Sequence, residues 1–204
     1  AILHNTHFSM ASQDVRYYLN GLYLELEGKK INAVATDGHR LAMSSRSLTD
    51  AASESANILP RKAVLELTKI LLSSDKLVNL TLGLNFLKVR SSKFEFSTKL
   101  IDGKFPDYNK VFPTGEAHSL VINREILLSA LNRAAVLSNE KYRGVRLSLS
   151  NNALKLTANN PEQESAEEDL EVNYEGPSFE IGFNIGYLEE ALNALDSEEA
   201  EILF

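Results

Sequence analysis

The segment Thr36-Asp37-Gly38-His39-Arg40 contains the side chains of this chain that are best suited to chemistry. Asp37 and His39 are two positions apart and could hold a metal ion or act as a general acid–base pair. No second histidine or carboxylate cluster at ligand spacing accompanies them. Asp-Gly between two alternating apolar runs is also a strong hairpin signal. The pattern therefore favours a turn, with His39 and Arg40 exposed on its far side, where they could still line a pocket.

A second segment, Gln13–Tyr18, combines aromatic and cationic side chains. Arg16 stands directly before Tyr17 and Tyr18. Such side chains can stack on bases and contact phosphates, or they can anchor a protein interface. The alternative is that one tyrosine is in the core while the other groups are solvated.

Two charged stretches lie in the second half of the chain. The basic one holds Arg133, Lys141, Arg143 and Arg146, which could bind phosphate or simply complement the end of a helix. The acidic one, residues 162–169, fits a solvated strand edge or one side of a charge-complementary interface better than a metal site. The chain has no Gly-rich phosphate loop, nucleophile elbow or metal-binding helix motif, so we predict no catalytic residue, metal or cofactor.

Composition indicates an ordinary globular protein rather than a membrane or disulfide-rich one. Hydrophobic residues make up 44% of the 204 residues, charged residues make up 24%, and there is no cysteine. No apolar run approaches the roughly 20 residues that span a bilayer, so we expect no membrane partner and a cytoplasmic location. The net charge of −7 argues against nucleic-acid binding on average, although an acidic protein can still present one basic face.

The chain contains a long internal repeat. Gly21–Leu26 aligns with Gly144–Leu149, and Ile31–Ala35 aligns with Leu154–Ala158. After one residue of slippage, Leu59-Pro60-Arg61-Lys62 aligns with Phe183-Asn184-Ile185-Gly186. Solenoid units are about 20–50 residues long, so a repeat of this length indicates two tandem domains.

Hydrophobic periodicity predicts an α+β fold in which each domain has two helices packed on antiparallel sheet. Helices are predicted at residues 60–72, 123–136 and 185–195. Strands are predicted at 18–26, 31–36, 40–45, 57–59, 78–82, 86–89, 93–97, 120–122, 145–150, 154–159, 166–172 and 179–183, with a turn at Glu27–Lys30.

The predicted linker is Leu100–Ala117, which contains two glycines and two prolines. The predicted domains are residues 1–114 and 115–204. The first residues resemble the end of a helix and the last resemble an unfinished strand, so we expect the chain to be a fragment.

Several segments closely resemble the bacterial DNA polymerase III beta subunits, the sliding clamps. They are Gln13–Gly21, Val34–Leu41, Phe105–Tyr108, Leu137–Leu147 and Ala158–Glu164. The resemblance covers nearly the whole chain. It implies most of a middle and a third clamp domain, without the first domain, the opening strand and part of the first helix of the middle domain, the final strands and the C-terminal tail.

The family resemblance implies a non-catalytic processivity factor, a ring-shaped homodimer that encircles duplex DNA without sequence specificity. The implied partners are the replicative polymerase catalytic subunit, the clamp loader, and repair and translesion polymerases. Nucleotidyl transfer and 3′–5′ exonuclease activity would belong to the holoenzyme. This chain alone is expected not to close a ring.

The resemblance also assigns roles to positions of this sequence. The partner-peptide pocket would be formed by Arg16, Tyr18, Leu19, Thr36, Gly38, His39, Arg40, Leu41, Pro106, Lys110, Val111, Asn184 and Tyr187. DNA contacts would come from Gln13, Tyr17, Tyr18, Arg61, Lys62, Arg133, Lys141, Arg143 and Arg146. The dimer interface would include Val136, Leu137, Glu162, Glu164, Glu167 and Glu168.

Two other functions stay open at the level of sequence. One is a repeat-built peptide-binding scaffold that never encircles DNA. The other is a metal-dependent phosphoesterase centred on Asp37 and His39.

Overall fold

A computed structural model describes residues 1–72, 77–113 and 118–204 of the chain. The chain divides into two compact units, Ala1–Pro113 and Thr114–Phe204. The end of the predicted linker and the predicted boundary after residue 114 lie outside the described residues. None of the helices in the described part of the chain is long and apolar enough to span a membrane.

The first unit is built mainly from antiparallel strands. Its elements are β1 (Gly21–Thr36), β2 (Leu41–Pro60), α1 (Arg61–Leu72), β3 (Asn79–Leu82), β4 (Phe86–Arg90) and β5 (Glu95–Lys99), with 3₁₀ turns at His7–Ser9, Tyr17–Leu19 and Tyr108–Val111. β1 pairs with β2, and β3, β4 and β5 form a second antiparallel sheet in that order.

The four short strands predicted between residues 18 and 59 are parts of the long pair β1 and β2. Leu22 pairs with Leu59, and Thr36 pairs with Leu41 across the predicted hairpin turn. The strand begins at Gly21 rather than residue 18, because Tyr17–Leu19 forms a 3₁₀ turn.

The turn predicted at Glu27–Lys30 is present inside β1 as a local reversal. The Asn32 amide donates to the Glu25 carboxylate at 3.1 Å. Seven extended residues would span about 23 Å, so the strand must fold back between these two positions. Gly28 sits there with φ of +57°.

The core of the first unit follows the predicted alternation in the first half of β1. Leu22 and Leu24 of β1 are buried with Val64 and Leu67 of α1. The second half of β1 is covered on both faces, since Ala33 belongs to this core and Val34 to a second cluster with Leu19, Phe105 and Tyr108. Burial therefore runs without alternation over Ile31–Ala35.

The second unit has helices beside antiparallel sheets. Its elements are β6 (Ser119–Asn123), α2 (Arg124–Ala135), β7 (Gly144–Ser150), β8 (Ala153–Asn159), β9 (Ser165–Glu171), β10 (Phe179–Asn184), α3 (Ile185–Asn193) and β11 (Glu199–Leu203). One sheet has the order β10-β7-β8-β9, and β11 pairs with β6.

Both helices of the second unit begin with an asparagine cap. The Asn123 side chain accepts a hydrogen bond from the Ile126 amide, and the Asn184 side chain accepts one from the Tyr187 amide. Each cap satisfies a backbone donor that the first helical turn leaves unpaired.

The pairing registers confirm the predicted repeat, including its one-residue slip. Gly21 pairs with Pro60 directly before α1, and Gly144 pairs with Asn184 directly before α3. The α+β class and the antiparallel sheets are also confirmed. The second unit contains the two predicted helices, α2 and α3. The described residues of the first unit contain one α-helix, α1, because the N-terminal segment of that unit forms short 3₁₀ turns.

Candidate functional site: a cavity beside the β1–β2 turn

The first unit carries a cavity of about 250 Å³ beside the turn that joins β1 and β2. Its lining residues are Arg16, Tyr18, Leu19, Thr36, Gly38, His39, Arg40, Leu41, Phe105, Pro106, Tyr108 and Val111. The structure thus brings together the first-unit residues that were predicted to form a peptide pocket, apart from Lys110. Lys110 is exposed and forms an ion pair with Asp107 at 3.3 Å.

Sequence reasoning missed two aromatic walls of this cavity, Phe105 and Tyr108. Both are largely buried, and Phe105 stacks on Tyr23 with ring centroids 4.8 Å apart. The sequence did contain an indication of their role, because Phe105-Pro106-Asp107-Tyr108 is one of the segments that resemble sliding clamps. No local pattern in the sequence shows that this segment folds back against β1, where Phe105 contacts Tyr23.

The Asp37 carboxylate is fully engaged in shaping the turn. Its Oδ1 accepts from the His39 amide at 2.9 Å and the Arg40 amide at 3.1 Å, and its Oδ2 accepts from Arg40 Nε at 3.1 Å. No group of three metal-ligating side chains exists within the described ranges. Asp37 therefore acts as a turn former, which removes the support for a metal site with His39.

Thr36 closes the same turn from the other side. Its hydroxyl donates to the Arg40 carbonyl at 2.6 Å and accepts from the Gly38 amide at 3.0 Å. Gly38 adopts φ of +90°, a conformation that L side chains rarely adopt. The rim of the cavity is thus fixed by backbone and short side-chain hydrogen bonds.

Arg40 is less available to a ligand than the sequence indicated. Its side chain is 17% exposed, Nη2 donates to the Phe8 carbonyl at 2.9 Å, and the guanidinium lies over the Phe8 ring. Arg40 therefore connects the turn to the N-terminal segment, in contrast to the exposed position expected for it.

Arg16 supplies a more exposed cation at the cavity. It holds Asp14 through Nε at 3.0 Å and Nη2 at 2.8 Å, and Nη2 also donates to the Asp37 carbonyl at 3.2 Å. These hydrogen bonds lower the pKa of Asp14 to about 2. The cavity edge is therefore charged and ordered before any ligand arrives.

The predicted DNA-contacting residues occupy both units and differ in their partners. Gln13, Tyr17 and Lys62 are exposed, while Arg61 donates to the Met10 carbonyl at 3.0 Å. In the second unit, carboxylates pair with three of the candidate cations. The pairs are Arg133–Glu168, Arg143–Glu189 and Arg146–Glu180, and Lys141 lies over the Tyr142 ring.

The predicted interface residues lie at the end of α2 and on or near β9, which is an edge strand of its sheet. Val136 is 78% exposed and Leu137 is half-buried. Glu162 is exposed. Glu164, Glu167 and Glu168 instead have partners within the unit, namely Asn160, Lys155 and Arg133. The hydrogen bond from Arg133 lowers the pKa of Glu168.

Asn184 and Tyr187 were predicted as pocket residues and lie in the second unit, at the start of α3. The Asn184 side chain accepts from the Tyr187 amide at 3.3 Å and donates to the Tyr142 carbonyl at 3.0 Å. Asn184 therefore has a structural role as a helix cap.

The fold and the cavity define a class of repeat-built α+β proteins that carry an apolar cavity beside a strand turn. Family models for the DNA polymerase III beta subunit match the chain twice, the central domain over residues 1–107 and the C-terminal domain over residues 109–204. The chain belongs to this family, the beta sliding clamps, which confirms the resemblance seen in the sequence.

Individual relatives agree with the family models. The chain is 48% identical to the beta sliding clamp of Proteus mirabilis over 203 residues, and 48% identical to that of Escherichia coli K12 over 202 residues. Each match covers 99% of this chain and 55% of the relative, so the chain spans about half the length of these proteins.

Solved structures show the same fold. A crystal structure of the Pseudomonas aeruginosa DNA polymerase III subunit beta matches with a TM-score of 0.96 and 47% identity, over 100% of this chain and 56% of the other. A further structure from that organism, bound to griselimycin, matches with a TM-score of 0.95 and 47% identity, over 100% of this chain and 55% of the other.

Proposed function

We propose that this chain is the partner-docking part of a sliding clamp, a non-catalytic processivity factor of a bacterial replicative DNA polymerase. In this role it would act in the cytoplasm as part of a ring-shaped homodimer around duplex DNA. The observation that carries the proposal is the cavity of the first unit, which combines an apolar floor with an ordered polar rim in a chain of the clamp family.

The cavity chemistry suits a short hydrophobic peptide motif. Leu19, Phe105 and Pro106 offer apolar surface, and Val111 is 64% exposed at the margin. Arg16 and the turn supply polar groups that are already oriented, so little conformational entropy would be lost on binding. Linear motifs of the polymerase, the clamp loader, and repair and translesion polymerases are the proposed occupants.

Calorimetric titration of the 204-residue chain with a Gln-Leu-x-Leu-Phe peptide tests this proposal. We expect saturable binding that Leu41→Ala weakens at least about tenfold, since a leucine side chain contributes about 1.5–3 kcal/mol when buried. Met43→Ala is the matched control, because Met43 lies two residues further along β2 and does not line the cavity. Equal affinities for the two variants would contradict the pocket assignment.

We further propose that DNA is contacted through phosphates, by Gln13, Tyr17 and Tyr18 and by the cations Arg61, Lys62, Arg133, Lys141, Arg143 and Arg146. A ring that slides cannot retain tight base contacts, so these contacts would be sequence-independent and sensitive to salt. The pairing of Arg133 with Glu168 and of Arg143 with Glu189 leaves their guanidinium groups partly exposed.

Duplex binding measured by fluorescence anisotropy at increasing salt tests the DNA contacts. We expect weak binding that is lost as salt rises, with Lys62→Ala lowering the salt slope by about 1. Lys104→Ala is the control, since Lys104 is exposed and belongs to none of the proposed sites. Absence of duplex binding even at low salt would favour a peptide-binding scaffold that never encircles DNA, and binding that does not depend on salt would contradict the phosphate contacts.

The proposed subunit interface combines the apolar end of α2 with the β9 edge. Val136 and Leu137 offer apolar surface beside the unpaired backbone of an edge strand. Glu162 and Glu164 would contribute negative charge, together with Glu167 and Glu168 where their internal pairs rearrange.

A further inference from the structure

A partly buried chain of hydrogen bonds ends at Tyr108, which lines the cavity. The Tyr108 hydroxyl donates to Glu25 Oε2 at 2.6 Å, and the same oxygen accepts from Asn32 Nδ2 at 3.1 Å. The Ser45 hydroxyl then donates to Asn32 Oδ1 at 2.7 Å. This network, which we call the Tyr108–Ser45 network, joins both arms of β1 to β2 and to the 3₁₀ turn that begins at Tyr108.

The network connects a cavity wall to the paired strands β1 and β2. Asn32 is 2% exposed and pairs in register with Ser45 across the two strands. Tyr108 is 6% exposed and packs with Phe105 and Tyr23 in the cluster beneath the cavity. Burial and the hydrogen bond to Glu25 raise the pKa of Tyr108, so its hydroxyl remains a donor throughout the physiological range.

Val111 lies three residues after Tyr108 in the chain. Val111 closes the short turn Tyr108–Val111 and lines the cavity, although it is 64% exposed. Within the turn, the Lys110 amide donates to the Asp107 carbonyl at 3.3 Å, which is a long hydrogen bond. So short a 3₁₀ turn has little stability of its own, and its placement must come from tertiary contacts.

We propose that Tyr108 is a positioning residue for the docking cavity, whose hydroxyl, held by Glu25, sets the place of the Tyr108–Val111 wall. The expected change in peptide affinity rests on the proposed docking function, whereas the expected change in hydrogen exchange of the turn does not. A hydrogen bond to a carboxylate is among the stronger kinds, and in a partly buried place its loss leaves the acceptor poorly satisfied.

The experiment uses Tyr108→Phe, which keeps the ring and removes the hydroxyl. Tyr174→Phe is the matched control, because Tyr174 is 2% exposed and its hydroxyl donates to the Pro177 carbonyl at 3.0 Å in the second unit. Hydrogen exchange of the Lys110 amide is measured by NMR in the peptide-free chain, and affinity for the Gln-Leu-x-Leu-Phe peptide is measured by calorimetry.

We expect Tyr108→Phe to speed exchange of the Lys110 amide and to weaken peptide binding by about tenfold, whereas Tyr174→Phe changes neither. Glu25→Gln keeps an oxygen acceptor and should preserve both readouts, while Glu25→Ala should reproduce the loss. Unchanged exchange in a folded Tyr108→Phe chain would overturn the inference. Absence of peptide binding by the unaltered chain would instead reject the docking function, and the exchange result would still decide the role of Tyr108.

Discussion

A Cβ atom added to Gly38 would lie 3.0 Å from both terminal nitrogens of Arg16. This close approach places the guanidinium directly over the β1–β2 turn, where Nη2 also donates to the Asp37 carbonyl. Glycine is therefore favoured at this position for two reasons, its φ of +90° and the nearby Arg16 guanidinium, which leaves little space for a side chain.

Gly38→Ala should weaken both the turn and the cavity. A non-glycine residue in this conformation costs on the order of 1–3 kcal/mol, and the new methyl group would press on the Arg16 guanidinium and shift it from its place over the turn. Gly28→Ala is the matched control, since Gly28 has φ of +57° but no atom within 4 Å of an added Cβ. Urea unfolding should show destabilisation in both variants, whereas loss of peptide affinity should be confined to Gly38→Ala.

The Asp14–Arg16 pair predicts a specific acid response of the cavity rim. Hydrogen bonds from Arg16 lower the pKa of Asp14 from 3.8 to about 2. A depressed folded-state pKa contributes stability that is fully present above the unfolded value and is lost as the pH falls through the folded one. The rim should therefore keep its ion pair at pH 4 and lose it near pH 2.

Carbon NMR of the Asp14 carboxyl group measures this titration directly. In the unaltered chain the midpoint should lie near 2, and in Arg16→Gln it should return toward 3.8. The same midpoint in both chains would show that Arg16 does not hold the carboxylate in solution.

Local signals in the sequence were sufficient for most of the elements. Asp37-Gly38 marks the hairpin turn because Asp side chains cap their own backbone and glycine accepts positive φ, and Asn123 marks the start of α2 because its side chain accepts from an amide of the first turn. The repeat could be recognised in the sequence because Gly21 and Gly144 begin equivalent strands.

Contacts between residues that are distant in the chain could not be predicted from local sequence signals. Nothing local to Arg40 shows that its guanidinium reaches the Phe8 carbonyl, which is far away in sequence. Likewise, the hydrogen bond between Tyr108 and Glu25 depends on how the chain after β5 returns to β1. A single sequence gives residue types and spacings, whereas these contacts are fixed by the tertiary fold.

Asn123→Ala should destabilise the second unit by about 1 kcal/mol, because the Ile126 amide loses its acceptor at 3.1 Å. Asn184→Ala should cost more, since that side chain also donates to the Tyr142 carbonyl at 3.0 Å. Asn151→Ala serves as an exposed control in the β7–β8 turn. Unfolding followed by NMR signals of the second unit ranks the three variants, and equal stability of Asn123→Ala and the control would contradict the capping role.

Arg40→Ala should lower the free energy of unfolding of the first unit by about 1.5–3 kcal/mol. Its side chain is mostly buried, and truncation removes charge-assisted hydrogen bonds to Asp37 and to the Phe8 carbonyl. Arg40→Lys should recover part of this loss, because lysine keeps the charge but lacks the planar fork that reaches both acceptors.

Arg46→Ala is the control for the Arg40 variants, since Arg46 lies on the same strand, is exposed and donates to the Ser45 carbonyl at 3.2 Å. Its effect on unfolding should stay within about 0.5 kcal/mol. Urea unfolding followed by NMR signals of the first unit measures all three variants. If Arg40→Ala were as stable as Arg46→Ala but bound peptide poorly, Arg40 would act on the ligand directly, and its contacts to Asp37 and Phe8 would not contribute to the fold.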